Sequence, residues 1–313
     1  MADTTKKESR LARCAVRQTL IDYAQGASQR LVETTLANFI APTVEVGTTI
    51  GHYKEYSAKS QYRIPTTKRP VHGRAAMIGW DLCDKTFNCQ PHALDCQIDL
   101  AEAGDDETFG ILFKDAADLV AESAALDFEA EVMETALSAL SPVELEVADS
   151  TNLIKAMDEK VDALIKKTGL GASLNVRIVF GSSAWTTFKN HKSVQNALGV
   201  SSRAYLVPNV ADITGLILGN PEARVSYALK DTAPEGLARN LDYLMGSKIL
   251  IFVGNNNPTR RDPSFMKTFR LAKRWMVAGS YFAPDRRCEV AKMDWSQDVK
   301  VTNADAAFLI DLK

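Results

Sequence analysis

Cys83, Cys89, His92 and Cys96 are the residues of this 313-residue chain that most invite chemistry, because thiolate and imidazole are the ligands zinc prefers. Their spacing works against a metal centre. In an extended segment Cys89 and His92 stand an odd number of residues apart and point to opposite faces, and so do Cys89 and Cys96 unless Pro91 turns the chain. The cysteines read instead as small buried thiols that pack like other apolar groups. With Cys14 and Cys288 the cysteines number five. An odd count makes no disulfide framework and points to a reducing compartment.

Other catalytic patterns fail on context. Thr168-Gly169-Leu170-Gly171 resembles the start of a dinucleotide fingerprint, but it lacks the third glycine and precedes a strand. No glycine-rich loop ends in Gly-Lys-Ser/Thr, and no serine sits in a Gly-x-Ser-x-Gly elbow. The four histidines, His52, His72, His92 and His191, show no metal-binding helical spacing. Tyr53, Tyr56 and Tyr62 lie at the base of a basic segment and not along it, which disfavours base stacking.

Charge is the informative feature. The total is −2, yet residues 51–74 hold Lys54, Lys59, Arg63, Lys68, Arg69 and Arg74 against Glu55, a balance of +5. Residues 81–134 carry −13 and residues 248–292 carry +7. Opposite blocks in a neutral chain suit contacts between regions or between copies of the chain.

The elements that must position these charges follow from periodicity. Residues 1–47 read as an arm, with a helix over Glu8–Tyr23 and a second stretch from Leu31 to Ile40. Thr49–Tyr56 and Ala75–Leu82 read as strands, the second with Ile78, Trp80 and Leu82 on one face. Between them, Ser57–Arg74 is polar, basic and interrupted by Pro65 and Pro70, so a hairpin projects from the body. A long helix is predicted over 108–140, with Leu112, Ala116, Leu119, Leu126, Ala130, Met133 and Leu137 inward. Thirty residues of helix make a rod of about 45 Å. Asp115, Asp118, Glu122 and Glu129 form an acidic stripe beside that face. Beyond residue 150 the pattern is mixed: helices at Asn152–Lys167 and Ser182–Leu198, the latter with Trp185, Phe188 and Val194 inward, and strands at Asn175–Phe180, Val225–Leu229, Lys248–Val253, Val299–Val301 and Ala307–Ile310. The longest apolar run, Ile249 to Gly254, is far short of the ~20 residues that cross a bilayer. The polar start lacks a secretory signal pattern, and a cytoplasmic chain is expected.

This order of parts resembles the major capsid proteins of tailed bacteriophages, which have the Hong Kong 97 fold. Local stretches carry the resemblance from about residue 35 to the end. They are Ile50-Gly51-His52-Tyr53-Lys54-Glu55-Tyr56, Tyr62-Arg63-Ile64-Pro65, the turn from Arg69 to Arg74, Phe87-Asn88-Cys89, Asn175 to Lys192 with Gly181, Trp185 and Phe188, Pro263-Ser264-Phe265 with Thr268-Phe269, and Val299 to Leu312.

The resemblance implies an α+β fold with an N-terminal arm (1–47), an extended β-hairpin loop (48–82), a peripheral domain (83–150 and 248–313) carrying the spine helix, and an axial α/β domain (151–247). It implies a chain that assembles with itself into pentamers and hexamers of an icosahedral shell around double-stranded phage DNA, without catalysis, cofactor or metal. The arm is too short to hold a scaffolding segment, so a separate scaffolding protein is expected, with a portal and non-specific contact with packaged DNA. The expected location is the virion capsid, assembled in the host cytoplasm, with no membrane contact. The subunit interface expected from charge and resemblance together sets Lys54, Lys59, Arg63, Lys68, Arg69 and Arg74 against Asp115, Asp118, Glu122 and Glu129 of a neighbour. The alternatives are an encapsulin-like bacterial nanocompartment on the same fold and a soluble α/β enzyme.

Overall fold

The computed structural model describes residues 18–32, 35–56, 67–69, 73–75, 77, 82–99, 101–102, 106–168, 175–199, 209–234, 236–255, 258–259, 264–272 and 274–313. The longest apolar strands pair at the centre of one sheet. Its order is β5 (Pro142–Leu145), β14 (Ala307–Leu312), β10 (Lys248–Val253), β6 (Val176–Gly181) and β7 (Glu222–Ser226). Every residue of β6 is buried, as are Ile249 to Val253 of β10. Continuous apolar runs suit strands covered on both faces, where alternation has no solvent side to serve.

Helix α4 (Leu153–Thr168) buries Leu153, Met157, Val161, Leu164 and Thr168, one stripe at helical spacing. The stretch expected as one helix over 182–198 is two, α5 (Ser182–Asn190) and α6 (Lys192–Ala197). His191 breaks it with extended backbone (φ −69°, ψ 137°), and its ring accepts the Ser193 N–H as the cap of α6. Nδ1 is thus the acceptor, which leaves Nε2 to donate to the Ala148 carbonyl, 3.1 Å away. Trp185, Phe188 and Val194 are buried as expected. The strand expected over 225–229 is also divided, into β7 and the short β8 (Leu229–Asp231), which pairs with β9 (Leu241–Tyr243). Helix α7 (Val210–Thr214) lies between β6 and β7 in the chain.

A second sheet is built on the 14-residue strand β13 (Cys288–Val301). Strand β4 (Gln90–Asp99) runs antiparallel along Cys288–Gln297, while β12 (Val277–Ala283) and β11 (Met266–Leu271) pair with β13 in succession. Strand β1 (Thr43–Val46) joins parallel to β11. Helix α3 (Asp106–Ala139), 34 residues long, packs across β4 and β13. Helix α1 (18–32) continues past the expected end at Tyr23 and leads to α2 (Leu36–Ile40); residues 1–17 lie outside the described ones.

Strands β5, β10 and β14 hydrogen-bond into the same layer as β6 and β7, so this sheet draws on both sides of residues 150 and 248. One expectation needs correction. The inward face of α3 is rotated from the one expected: Phe113, Ala116, Ala117, Val120, Ala121, Ala124, Ala125, Phe128, Val132, Met133 and Ala136 are buried, whereas Leu119 and Leu126 are 57% and 47% exposed. Small residues let the helix approach the sheet closely, so alanine and not leucine marks this core. Among the described residues no helix is long and apolar enough to cross a membrane.

Candidate functional site

Strand β2 (Ile50–Tyr56) pairs with β3 (Leu82–Asn88), from Ile50 opposite Asn88 to Tyr56 opposite Leu82. The returning strand therefore follows the expected 75–82 span instead of filling it. Ala75 and Met77 are outside any strand, and Ile78 and Trp80 lie outside the described residues. Directly opposed residues share a face, so Gly51, Tyr53, Lys85 and Phe87 look one way.

That face is the anchor. The Phe87 ring stacks on Phe269 of β11 at 4.6 Å and 12°, and Tyr53 lies 5.2 Å from the same ring. With Val44, Val46 and Cys89 these three form a buried cluster of their own. Gly51 is required beneath it, since a Cβ there would stand 2.6 Å from Phe87 Cζ. The Asn88 N–H donates to Asp298 Oδ2 at 2.8 Å and adds a polar tie to β13. The aromatic clamp is the functional element that charge counting missed. Its signal was alternation, with Tyr53 and Phe87 at diagonal positions on one face of the hairpin, opposite Lys85 and Gly51.

The six expected bases divide. Lys54 pairs within the hairpin, 2.6 Å from Asp84, and this hydrogen bond is the main cause holding the Asp84 carboxyl below its ordinary value. Lys68, Arg69 and Arg74 are exposed, and Arg69 donates to the Gly73 carbonyl at 3.0 Å. Met77 is 100% exposed. Lys59 and Arg63 lie outside the described residues.

The four acids divide as well. Asp115 and Glu122 are exposed. Asp118 accepts from the Tyr23 hydroxyl of α1 at 3.4 Å, where Lys114 also lies 5.0 Å from the Tyr23 ring centroid. Glu129 is half-buried, and burial raises its carboxyl above the ordinary value. The outward face of α3 thus interleaves Asp115 and Glu122 with exposed Ile111, Leu119 and Leu126. Within one chain the structure does not bring the two charge groups together: among the described residues no ion pair joins them.

The cysteine-rich segment is structural in form. Cys89 is buried, its thiol faces the Phe269 carbonyl at 3.5 Å, and burial with Asp298 nearby pushes it up to about 11. It therefore stays protonated near neutrality. His92 stacks on Trp295 at 5.4 Å. Cys83 is exposed and Cys96 half-buried, which corrects the expectation of uniformly buried thiols. Among the described residues no three or more His, Cys, Asp or Glu side chains gather as a metal site.

No protein-family model matches this chain, and no curated protein matches it by sequence. Solved structures do. A phage-related protein from Bordetella bronchiseptica superposes with a TM-score of 0.69 at 15% identity, over 94% of this chain and 96% of that one. The mature capsid of bacteriophage PhiM1 gives 0.52 at 10% identity, over 87% and 84%. A virus-like particle from Pyrococcus furiosus gives 0.51 at 10% identity, over 93% and 98%. The chain has the α+β fold of phage capsid proteins, of the Hong Kong 97 type.

Proposed function

We propose that this chain is a shell-forming major capsid protein, assembling as pentamers and hexamers into an icosahedral particle around double-stranded phage DNA. The observation that carries the reading is the hairpin: its base is clamped into the body by Tyr53, Phe87 and Phe269, while Lys68, Arg69, Arg74 and Met77 beyond it are exposed. A fixed base and an uncovered basic tip suit a limb whose partner is another subunit. The tip lies across the outward face of a neighbour's α3, bases toward Asp115 and Glu122 and apolar groups toward Ile111, Leu119 and Leu126. Exposed ion pairs contribute only ~0–1 kcal/mol each, so they select neighbour and register. Apolar burial, at ~25 cal/mol per Å², supplies more of the energy.

In this reading the arm is residues 1–47, the extended loop begins near 48 and returns through β3, α3 is the spine of a peripheral unit, and the β5–β14–β10–β6–β7 sheet carries the axial one. The role is structural, without a catalytic step. A separate scaffolding protein and a portal complete assembly in the host cytoplasm, and the finished chain resides in the virion. A net charge of −2 suits a container, since a strongly basic wall would retain DNA by counterion release. The likeness to the Pyrococcus furiosus particle favours one second reading, a nanocompartment shell. Size-exclusion chromatography with electron microscopy tests the proposal. A shell elutes in the void volume as closed particles, whereas an enzyme near 34.3 kDa or a small multiple overturns it. Nucleic acid inside particles from infected cells separates phage from compartment.

A further inference from the structure

Where α2 meets β7 and the connection after β10, a cleft of about 250 Å³ opens, lined among others by Thr35, Asn38, Thr43, Arg177, Arg224 and Asn255. The Arg177 side chain is only 7% exposed, donates from Nη1 to the Phe39 carbonyl at 2.8 Å, and fits because residue 254 is glycine, where a Cβ would lie 2.7 Å from Arg177 Cδ. The Arg177 and Arg224 guanidinium carbons stand 4.6 and 4.3 Å from the centroid of one ring, Phe39, which holds both cations at the cleft.

Among the described residues one carboxylate faces both cations. Glu222, about half exposed, lies 3.7 Å from Arg177 Nε and 3.2 Å from Arg224 Nη2. Burial works against the Arg177 charge, and Glu222 only partly offsets it. Arg224 keeps donors beyond the one given to Glu222, and among the described residues the Asn38 amide and the Thr43 hydroxyl have no hydrogen-bond partner. The cleft far exceeds the ~10–15 Å³ that a single water needs. Convergent donors, two guanidinium groups on one wall and a pre-formed hollow are the requirements of an oxyanion site.

We propose that this cleft binds a phosphate oxyanion, gripped by the Arg224 and Arg177 guanidinia with the Asn38 amide and Thr43 hydroxyl as further donors. The phosphate comes either from free inorganic phosphate or from the phosphodiester backbone of a nucleic acid. Glu222 is the internal competitor that occupies the arginines when the site is empty.

Thermal unfolding of the full chain in inorganic phosphate against chloride, at matched ionic strength, tests this without reference to assembly. The parent shows a saturable, phosphate-specific rise in melting midpoint. Arg224→Gln raises the half-saturating phosphate concentration about tenfold, in line with losing a charge-assisted hydrogen bond, while Glu222→Gln lowers it. A merely structural salt bridge would make both variants behave alike. Equal shifts in phosphate and chloride, or the two variants moving the same way, overturn the proposal. With phosphate binding established, competition by a short thymidine oligonucleotide identifies the phosphodiester source, and its failure to compete identifies the free anion.

Discussion

Replacing Phe87 by alanine should release the hairpin while leaving the body folded. Phe87 is fully buried, stacked on Phe269 and closed over by Gly51. Truncating a buried phenylalanine costs ~3–5 kcal/mol through lost transfer energy and the cavity left behind. Here the cluster has six buried members and one wall is the hairpin itself, so partial collapse puts the cost near ~3 kcal/mol. At about tenfold per 1.4 kcal/mol, the base opens on the order of 100-fold more often. Because among the described residues β2 and β3 pair only with each other, the loss should be local. Hydrogen–deuterium exchange should show faster amides in 50–56 and 82–88, with β6 and β10 still protected, and particle yield should fall. If hairpin protection is unchanged and the whole loss appears as a lower global melting midpoint, the clamp is part of the main core and the reasoning fails.

The triple variant Arg63→Glu, Lys68→Glu, Arg69→Glu should leave circular dichroism unchanged and abolish shells, each pair contributing ~0–1 kcal/mol; normal particles by electron microscopy would refute the hairpin-to-helix contact. On α3, Leu126→Ala should cost under ~1 kcal/mol, whereas Phe128→Ala, two residues on, fully buried and edge-to-face with Trp275 at 6.0 Å, should cost ~3–5 kcal/mol by denaturant titration. Equal costs would restore the face read from the leucines. Burial raises the Glu129 carboxyl above its ordinary 4.5, so the folded state holds that proton more tightly than the unfolded state does. The resulting stability is full below the ordinary value and is lost as pH rises through the folded one. Glu129→Gln should therefore melt higher than the parent at pH 8, with the advantage shrinking toward pH 4; a constant gap across that range would rule the linkage out.

Elements dominated by their own side chains were legible without coordinates. The strands read over Asn175–Phe180 and Lys248–Val253 and the helix read over Asn152–Lys167 match β6, β10 and α4, and an unbroken stretch without proline marked α3 within two residues at its start and one at its end. The exposed basic tip was legible because charge resists burial. What pairing and packing decide was not. Strand β3 took the returning place because Phe87 and Tyr53 reach Phe269, a residue 182 positions away from Phe87 in the chain. The phase of α3 went to its alanines because the sheet beneath admits small residues closely, which periodicity cannot weigh. Arg177 and Arg224 came together only when β6 and β7 aligned in parallel and α2 set the Phe39 ring against both guanidinium groups. Local periodicity determines which residues form an element and which side is apolar; partners distant along the chain, chosen by shape and register, determine where that side faces and what it meets.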